Sequence, residues 1–193
     1  AAKLARILGR TQERLPATDL GVHVRVEVGP AEALILGEMD RGEYDIVAVG
    51  ALGHKRSRKS WPGSVAAQIV DRAPGSVLIV KGERAMLQRV LICASGAEQG
   101  HIAVRAGAAV ACAAGAEATI LHVVDAMPGM YAGLERMEET LAELLESGSE
   151  RSRELKWATR AVGEECKVCE LKLRRGIVAE EILREGQAGD YDL

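Results

Sequence analysis

The chain has 193 residues, of which 48% are hydrophobic and 27% charged, the composition of a globular protein that can bury a core. Its formal net charge of −3 gives no general reason to expect binding to nucleic acid or an anionic membrane. The most apolar stretch, residues 106–118, is too short to span a bilayer. With no Phe and 3% aromatic residues, the core must be built from aliphatic side chains, which suits parallel strands covered by helices.

The first 81 residues predict alternating helices and strands. Apolar spacing of three and four residues indicates helices, and Val alternating with polar residues indicates a half-exposed strand. The predicted elements are a helix over 1–15, a strand over 22–28, a helix over 30–40, a strand over 44–49, a helix over 64–72 and a strand over 76–80.

The remaining residues continue this alternation. Strands are predicted over 90–93, 118–124 and 167–173, and helices over 102–114, 134–162 and 177–185. The long second helix should be broken near Ser147-Gly148-Ser149. Strands and helices in alternation predict an α/β fold with a parallel sheet.

A gap-free internal repeat relates the two parts of the chain. Pairing Gly29 with Gly176 gives an offset of 147 residues, at which Glu43-Tyr44-Asp45-Ile46 falls on Asp190-Tyr191-Asp192-Leu193. A period of that length predicts two tandem copies of one domain. The predicted division is the C-terminal part of a first copy in residues 1–81, a linker in 82–88, and the N-terminal part of a second copy in 89–193. Because each copy is incomplete, we expect a truncated or incompletely observed tandem protein rather than a permuted one.

The four cysteines are expected to be reduced core residues of a cytosolic protein. Cys166 and Cys169 form a C-x-x-C, but on a predicted strand, where residues three apart point to opposite faces. Cys93 and Cys112 do not complete a zinc site with them. A metal or redox role is the less favoured alternative.

The main functional pattern lies in residues 50–64. Gly50, Gly53, Gly63 and Ser64 have the spacing G-x2-G-x9-G-S, between a predicted strand and a predicted helix. Ligands of parallel sheets sit beyond the carboxyl ends of strands, and glycines let a phosphate approach the backbone. The helix start offers unpaired N–H groups, and Ser64 can act as N-cap and hydroxyl donor. Four cations between His54 and Lys59 favour phosphate proximity over a merely solvated loop.

These four residues match in spacing and type the nucleotide-binding signature of the universal stress protein family, which the chain resembles over about residues 22–81 and 89–193. Tyr44-Asp45-Ile46-Val47 before the signature and residues 73–80 after it resemble the family as well. The resemblance implies a doubly wound parallel five-stranded sheet of order 3-2-1-4-5, like that of the adenine nucleotide alpha-hydrolases. Residues 44–49 and 76–80 would be strands 4 and 5.

The resemblance also implies an adenine-nucleotide site, with ATP as the expected ligand. Adenine would lie near Val123 and the phosphates on the signature residues. The full set of expected binding residues is Gly50, Gly53, His54, Lys55, Gly63, Ser64, Val65, Ala94, Ser95, Gly96 and Val123. No residue is assigned a catalytic or metal-binding role.

One departure from the family pattern concerns the loop after the first strand of the second copy. Where the family usually has an Asp near the nucleotide, this chain reads Ala94-Ser95-Gly96. Ser95 can hydrogen-bond a ribose or phosphate but supplies no carboxylate, so Mg²⁺ would lack a clear protein ligand. His122, in an apolar strand, is expected to be a hydrogen-bonded core histidine.

We expect a cytoplasmic nucleotide-binding regulatory protein of the stress response, without enzymatic activity beyond slow ATP hydrolysis. One alternative is the cytoplasmic regulatory module of a transporter. The other is an ATP-using enzyme, because Ser95-Gly96-Ala97-Glu98 superficially resembles the S-G-G-x-D pyrophosphate loop of ATP-dependent synthetases. No nucleic-acid partner and no membrane segment are expected within the printed residues.

The strand predicted over 76–80 is apolar, with no charge or Pro to protect a sheet edge. Such an edge recruits another strand, and an antiparallel pair is self-complementary about a two-fold axis. We therefore expect a homodimer, or a tandem-domain pair, joined through this strand.

Overall fold

The computed structural model describes residues 21–42, 44–51, 64–81, 86–125, 140–166 and 169–193. The chain divides into two compact units, residues 1–82 and 83–193. Helices and parallel strands alternate in both units, which confirms the predicted α/β class. The predicted helix over 1–15 lies outside the described residues.

The first unit contains helix α1 (Ala31–Arg41), strand β1 (Ile46–Gly50), helix α2 (Ser64–Arg72) and strand β2 (Ser76–Val80). β1 and β2 run parallel, with Ile46 opposite Ser76 and Gly50 opposite Val80. The two helices pack on each other, and the buried residues are Met39 on α1 and Ala66 and Ile69 on α2. This small α/β layer positions the residues on either side of the glycine-rich segment.

The strand predicted over 22–28 is not a strand in the structure. Residues 21–28 carry no regular secondary structure and are exposed. The counterpart one repeat later, β5 (Cys169–Gly176), is a strand because it pairs with a neighbour, whereas no strand lies beside 22–28 among the described residues. The alternation of Val with polar residues does not by itself produce a strand, because a β-ladder forms only where a second strand can hydrogen-bond to the first.

The second unit has a larger sheet with helices. In chain order it contains β3 (Arg89–Cys93), a 3₁₀ turn (Glu98–Gly100), α3 (His101–Ala114), β4 (Glu117–Asp125), α4 (Leu141–Glu146), α5 (Glu150–Glu165), β5 and α6 (Val178–Ala188). The sheet order is β3-β4-β5, all parallel. The described strands thus form two separate sheets, and the five-stranded order 3-2-1-4-5 stays a prediction.

The core of the second unit is built from small and aliphatic side chains. Val104, Ala108 and Ala111 of α3 are at most 1% exposed and pack with Val90 and Ile92 of β3. A Cβ added to Gly107 would lie 2.8 Å from Ile92 Cγ1, so helix and sheet approach closely at this glycine. The completely buried Leu155 and Val162 of α5 belong to the same core.

The predicted break near Ser147-Gly148-Ser149 is confirmed, because α4 ends at Glu146 and α5 begins at Glu150. Thr140 and Glu143 form a capping box at the start of α4, and the Ser149 side chain accepts from Ser152 N at the start of α5. The caps satisfy the unpaired N–H groups of each new helix. Residues 134–139 of the predicted helix lie outside the described residues.

The residues Tyr191–Leu193, called the tail below, lie beside β3. Leu193 N donates to Arg89 O and Leu193 O accepts from Leu91 N, the pattern of a parallel ladder. Gln88 O and Ala94 N bond instead to β4, so the tail lies on the opposite edge of β3. Asp192 Oδ2 accepts from the backbone N–H groups of Gln88 and Arg89, at 2.7 and 3.0 Å.

The same side-chain triad occurs in both repeats. In the second unit, Glu185 of α6 is 3% exposed and accepts from Lys172 Nζ at 3.0 Å and Tyr191 Oη at 2.9 Å. At the repeat offset, Glu38 accepts from Arg25 at 2.5 Å and from Tyr44 Oη at 2.7 Å. The two copies therefore share side-chain contacts as well as sequence.

Candidate functional site

The predicted binding residues of the first unit flank the glycine-rich segment. Gly50 is the last residue of β1, and the next N–H, that of the buried Ala51, donates to Val80 O at 2.8 Å. Ser64 is the exposed first residue of α2 and Val65 follows half-buried. A Cβ at Gly50 would meet none of the described residues within 4 Å. Gly53, His54, Lys55 and Gly63 lie outside the described residues.

The other predicted residues cluster at one edge of the second unit's sheet. Ala94 is buried just after β3, Ser95 is exposed, and Gly96 has φ +70°. Val123 lies near the carboxyl end of β4, two residues beyond Leu121, the partner of Cys93. Because β3 and β4 are parallel neighbours, this loop and Val123 occupy the edge where ligands of α/β sheets bind. The predicted residues thus form two sets, one in each unit.

His122 supports the loop after β3 from the neighbouring strand. Its ring is 3% exposed, and Nδ1 bonds to Ala94 O at 2.9 Å, which confirms the expected hydrogen-bonded core histidine. Burial lowers the pKa of His122, outweighing the bond to Ala94, and the charge of Arg151 lowers it further. The neutral ring must carry its proton on Nδ1, since a carbonyl only accepts. Nε2 is then a buried acceptor, and it has no hydrogen-bond partner among the described residues.

Arg151 of α5 lies beside the same loop and was not identified from the sequence. A Cβ built on Gly96 would lie 3.1 Å from Arg151 Cγ and 2.9 Å from His122 Cε1. A side chain at position 96 would therefore collide with both the arginine stem and the histidine ring, and the positive φ also suits a residue without a side chain. Among the described residues Arg151 forms no salt bridge. No sequence signal links positions 96 and 151, because they meet only through the packing of α5.

The same loop also lies beside an aromatic and charged contact between α3 and α5. The His101 and Trp157 rings stack with centroids 3.6 Å apart, and His101 Nε2 contacts Glu154. Between these side chains and residues 94–97 is a cavity of about 10 Å³, enough for about one water molecule. Side chains of both α3 and α5 thus pack around the loop.

The donor set at this loop does not fit a divalent metal ion. Ser95 offers one hydroxyl and Gly96 only backbone, while the neighbouring Arg151 is a cation; hard cations prefer carboxylate and carbonyl oxygens. Over the described part of the chain, no cluster of three or more His, Cys, Asp or Glu residues could hold a metal.

All four cysteines lie within the described residues, and none forms a disulfide. The expectation that all are core residues is wrong for Cys93 and Cys112, which are exposed at the end of β3 and on the outer face of α3. Cys166 is buried and precedes β5, and Cys169 is half-buried at its start.

No helix in the residues that the structure describes is long and apolar enough to cross a membrane.

Both units belong to the class of α/β proteins in which parallel strands end in loops of this kind. The universal stress protein family model matches residues 1–81 and 86–193, nearly the whole chain. The chain therefore belongs to the universal stress protein family. No functionally curated protein matches it significantly.

Solved structures share the fold at low sequence identity. A putative universal stress protein from Pseudomonas aeruginosa UCBPP-PA14 has a TM-score of 0.63 at 13% identity, and the match covers 98% of this chain and 64% of that one. A protein of unknown function from P. aeruginosa PAO1 has a TM-score of 0.64, with the same identity and coverage. This chain thus spans slightly less than two thirds of those proteins. A universal stress protein in complex with cAMP has a TM-score of 0.40 at 14% identity, covering 56% of this chain and 70% of that one.

Proposed function

We propose that this chain is a regulatory universal stress protein that binds an adenine nucleotide, ATP in particular. The observation that carries the proposal is the placement of the glycine signature. Gly50 ends a parallel strand and Ser64 begins the next helix, so the signature spans the connection where a phosphate-binding loop belongs. Membership of the universal stress protein family supports the interpretation of this connection as a nucleotide-binding loop.

In the proposed site, phosphates bind at Gly50, Gly53, Gly63 and Ser64, with His54, Lys55 and Val65 nearby. In the second unit, taken by itself, the loop Ala94-Ser95-Gly96 and Val123 form the proposed ribose and adenine half of a nucleotide site. Binding at backbone N–H groups and a helix start needs no nucleophile and no general base, so the proposed role is binding and signalling rather than rapid catalysis. The absence of a disulfide among the four cysteines supports a reducing, cytoplasmic compartment.

Isothermal titration calorimetry of the full chain with ATP, ADP, AMP and cAMP tests the proposal. Gly50→Val should abolish ATP binding, because it adds a side chain where a phosphate must approach. The fold should persist, since a Cβ at Gly50 meets no atom of the described residues within 4 Å. Gly75→Val is the matched control, because a Cβ at Gly75 likewise meets none of the described residues within 4 Å and Gly75 lies just before β2 rather than at the signature.

The expected result is ATP binding by the parent and by Gly75→Val, with circular dichroism unchanged in both variants. Equal ATP affinity in all three proteins would refute the assignment of the signature as the phosphate site. A parent chain that binds none of the four nucleotides would refute the proposed function itself.

A further inference from the structure

The first unit has an open cavity at the amino ends of β1 and β2. Its volume is about 310 Å³, near the lower end of the range of ligand pockets. The described residues that line it all precede one of the two strands: Met39, Gly42, Tyr44, Asp45, Pro74 and Gly75. Because the glycine signature follows the carboxyl end of β1, the cavity is separate from the proposed phosphate site.

The lining of this cavity suits a cation. Asp45 carries the one charge among the described lining residues, and no described residue forms a hydrogen bond or a salt bridge with its exposed carboxylate. The cavity also adjoins the carboxyl ends of α1 and α2, where backbone carbonyl groups carry a partial negative charge. Tyr44, which is 52% exposed, adds an aromatic ring. A carboxylate beside an aromatic ring is a combination that binds a guanidinium.

Contacts within the first unit hold the Tyr44 ring in place. Its hydroxyl donates to Glu38 at 2.7 Å, and a Cβ added at Gly42 would collide with the ring. Glu38 is itself paired with Arg25 and Arg41, so its charge is already matched. A ring that is fixed before binding loses little conformational entropy when a ligand stacks on it.

The second unit shows what the same pair of residues binds there. Tyr191, the repeat counterpart of Tyr44, likewise donates to a glutamate and lies against a glycine. The guanidinium carbon of Arg89 lies 5.0 Å from the centre of the Tyr191 ring. Asp192, the counterpart of Asp45, accepts from the backbone N–H of Arg89 at 3.0 Å. One arginine residue thus contacts both members of the pair.

We propose that the cavity of the first unit binds an arginine, with its guanidinium on the Tyr44 ring and its α-nitrogen at Asp45. Free arginine would present its α-ammonium to the carboxylate, and an arginine within a polypeptide would present its backbone N–H, as in the second unit. The guanidinium makes a cation–π contact, and the carboxylate accepts a charge-assisted hydrogen bond. The site needs only the first unit and goes beyond nucleotide binding.

Calorimetry of the full chain with L-arginine and L-citrulline tests the charge requirement, because citrulline has nearly the same shape but no positive charge. The parent should bind arginine in the millimolar range, since the contacts are exposed, and citrulline about tenfold more weakly. The peptide acetyl-Gln-Arg-Val-Leu-amide, the sequence of residues 88–91, distinguishes the two sources of arginine. Tighter binding of the peptide than of arginine assigns the site to a polypeptide, and weaker binding assigns it to the free amino acid.

The test variants are Asp45→Asn and Tyr44→Leu, each of which should weaken binding of arginine or of the peptide by about fivefold or more. Asp40→Asn is the matched control, because Asp40 is an exposed carboxylate of α1 that does not line the cavity, and it should bind like the parent. Circular dichroism should be unchanged in all three variants. Their ATP affinity should equal that of the parent, so this site and the nucleotide site can fail separately.

Three results would overturn the inference. The first is equal binding of arginine and citrulline by the parent. The second is parent-like binding in both Asp45→Asn and Tyr44→Leu, which would place the ligand elsewhere on the chain. The third is a parent chain that binds neither arginine nor the peptide.

Discussion

At the scale of single residues, the most constrained group is the Glu185 carboxylate. Burial raises its pKa, but hydrogen bonds from Lys172, Arg174 and Tyr191 more than offset this and hold the pKa at about 2. Arg174 Nε donates at 2.7 Å, and Lys172 Nζ also lies 3.4 Å from Tyr191 Oη. A buried carboxylate with this many donors ties α6 to β5 and to the tail.

Removing this carboxylate should destabilise the second unit. Glu185→Ala removes the acceptor that Lys172, Arg174 and Tyr191 share, leaving Lys172 with Glu170 at 3.6 Å and Arg174 with Glu181 at 3.3 Å. A loss of about 2 kcal/mol in unfolding free energy is expected at neutral pH. Glu180→Ala, an exposed carboxylate on the same helix, should change stability little. Urea denaturation followed by circular dichroism measures both. Equal stability of the two variants would contradict this account of the triad.

The contacts of the Glu185 carboxylate also make the stability of the fold depend on pH. The folded pKa of Glu185 lies near 2, below the ordinary value of 4.5, so the ionised group stabilises the fold above about pH 4.5. That contribution is lost as the pH falls from 4.5 towards 2. The stability difference between the parent and Glu185→Ala should therefore narrow over this acid range.

At the scale of elements, the glycines of the helices differ in what surrounds them. Gly107 on α3 lies against Ile92, with 2.8 Å from a built Cβ to Cγ1, whereas a Cβ at Gly163 on α5 meets nothing within 4 Å. Gly107 permits α3 to pack closely on the sheet, whereas Gly163 only lowers the stability of α5.

The two alanine substitutions should therefore act in opposite directions. Gly163→Ala should stabilise the protein by about 0.5–1 kcal/mol through helix propensity. Gly107→Ala should destabilise it by about 1–3 kcal/mol, because α3 must move away from β3 to admit the methyl group. Thermal melts of the two variants beside the parent provide the measurement. A stabilised Gly107→Ala would show that α3 can shift without loss of packing.

Sequence reasoning succeeded where the determining contacts are local. The break at Ser147-Gly148-Ser149 follows from residues that cap their own helix, and buried strands such as β4 follow from continuous apolar runs. Sequence reasoning failed for residues 22–28, because an alternating pattern does not show whether a partner strand lies beside it. It also missed Arg151, since its position beside Gly96 depends on how α5 packs across the unit. The expected site residues stay a prediction, because the segment 52–63 lies outside the described residues.

At the scale of the whole molecule, assembly through β2 stays a prediction. β2 pairs with β1 along one edge, and within the described residues no strand occupies its other edge. Val80 at its end is 48% exposed. An apolar edge strand of this kind favours pairing with a second copy about a two-fold axis.

Ile79→Lys tests that assembly. A lysine in the paired edge should shift a dimer towards monomer, whereas Val70→Lys, on the exposed face of α2, should leave the mass unchanged. Light scattering measures the mass of each protein at matched concentration. An unchanged dimer mass in Ile79→Lys would exclude this edge as the interface.

The two neighbouring residues Tyr191 and Asp192 also bear on the order in which the second unit folds. Tyr191 bonds to Glu185, 6 residues away, whereas Asp192 bonds to Gln88, 104 residues away. Short loops cost less entropy to close than long ones, so the contacts of Tyr191 can form while the chain is still largely open. The contact of Asp192 with Gln88 requires a separate and much longer loop to close. One dipeptide thus combines a contact local in the chain with one that forms only when the sheet closes.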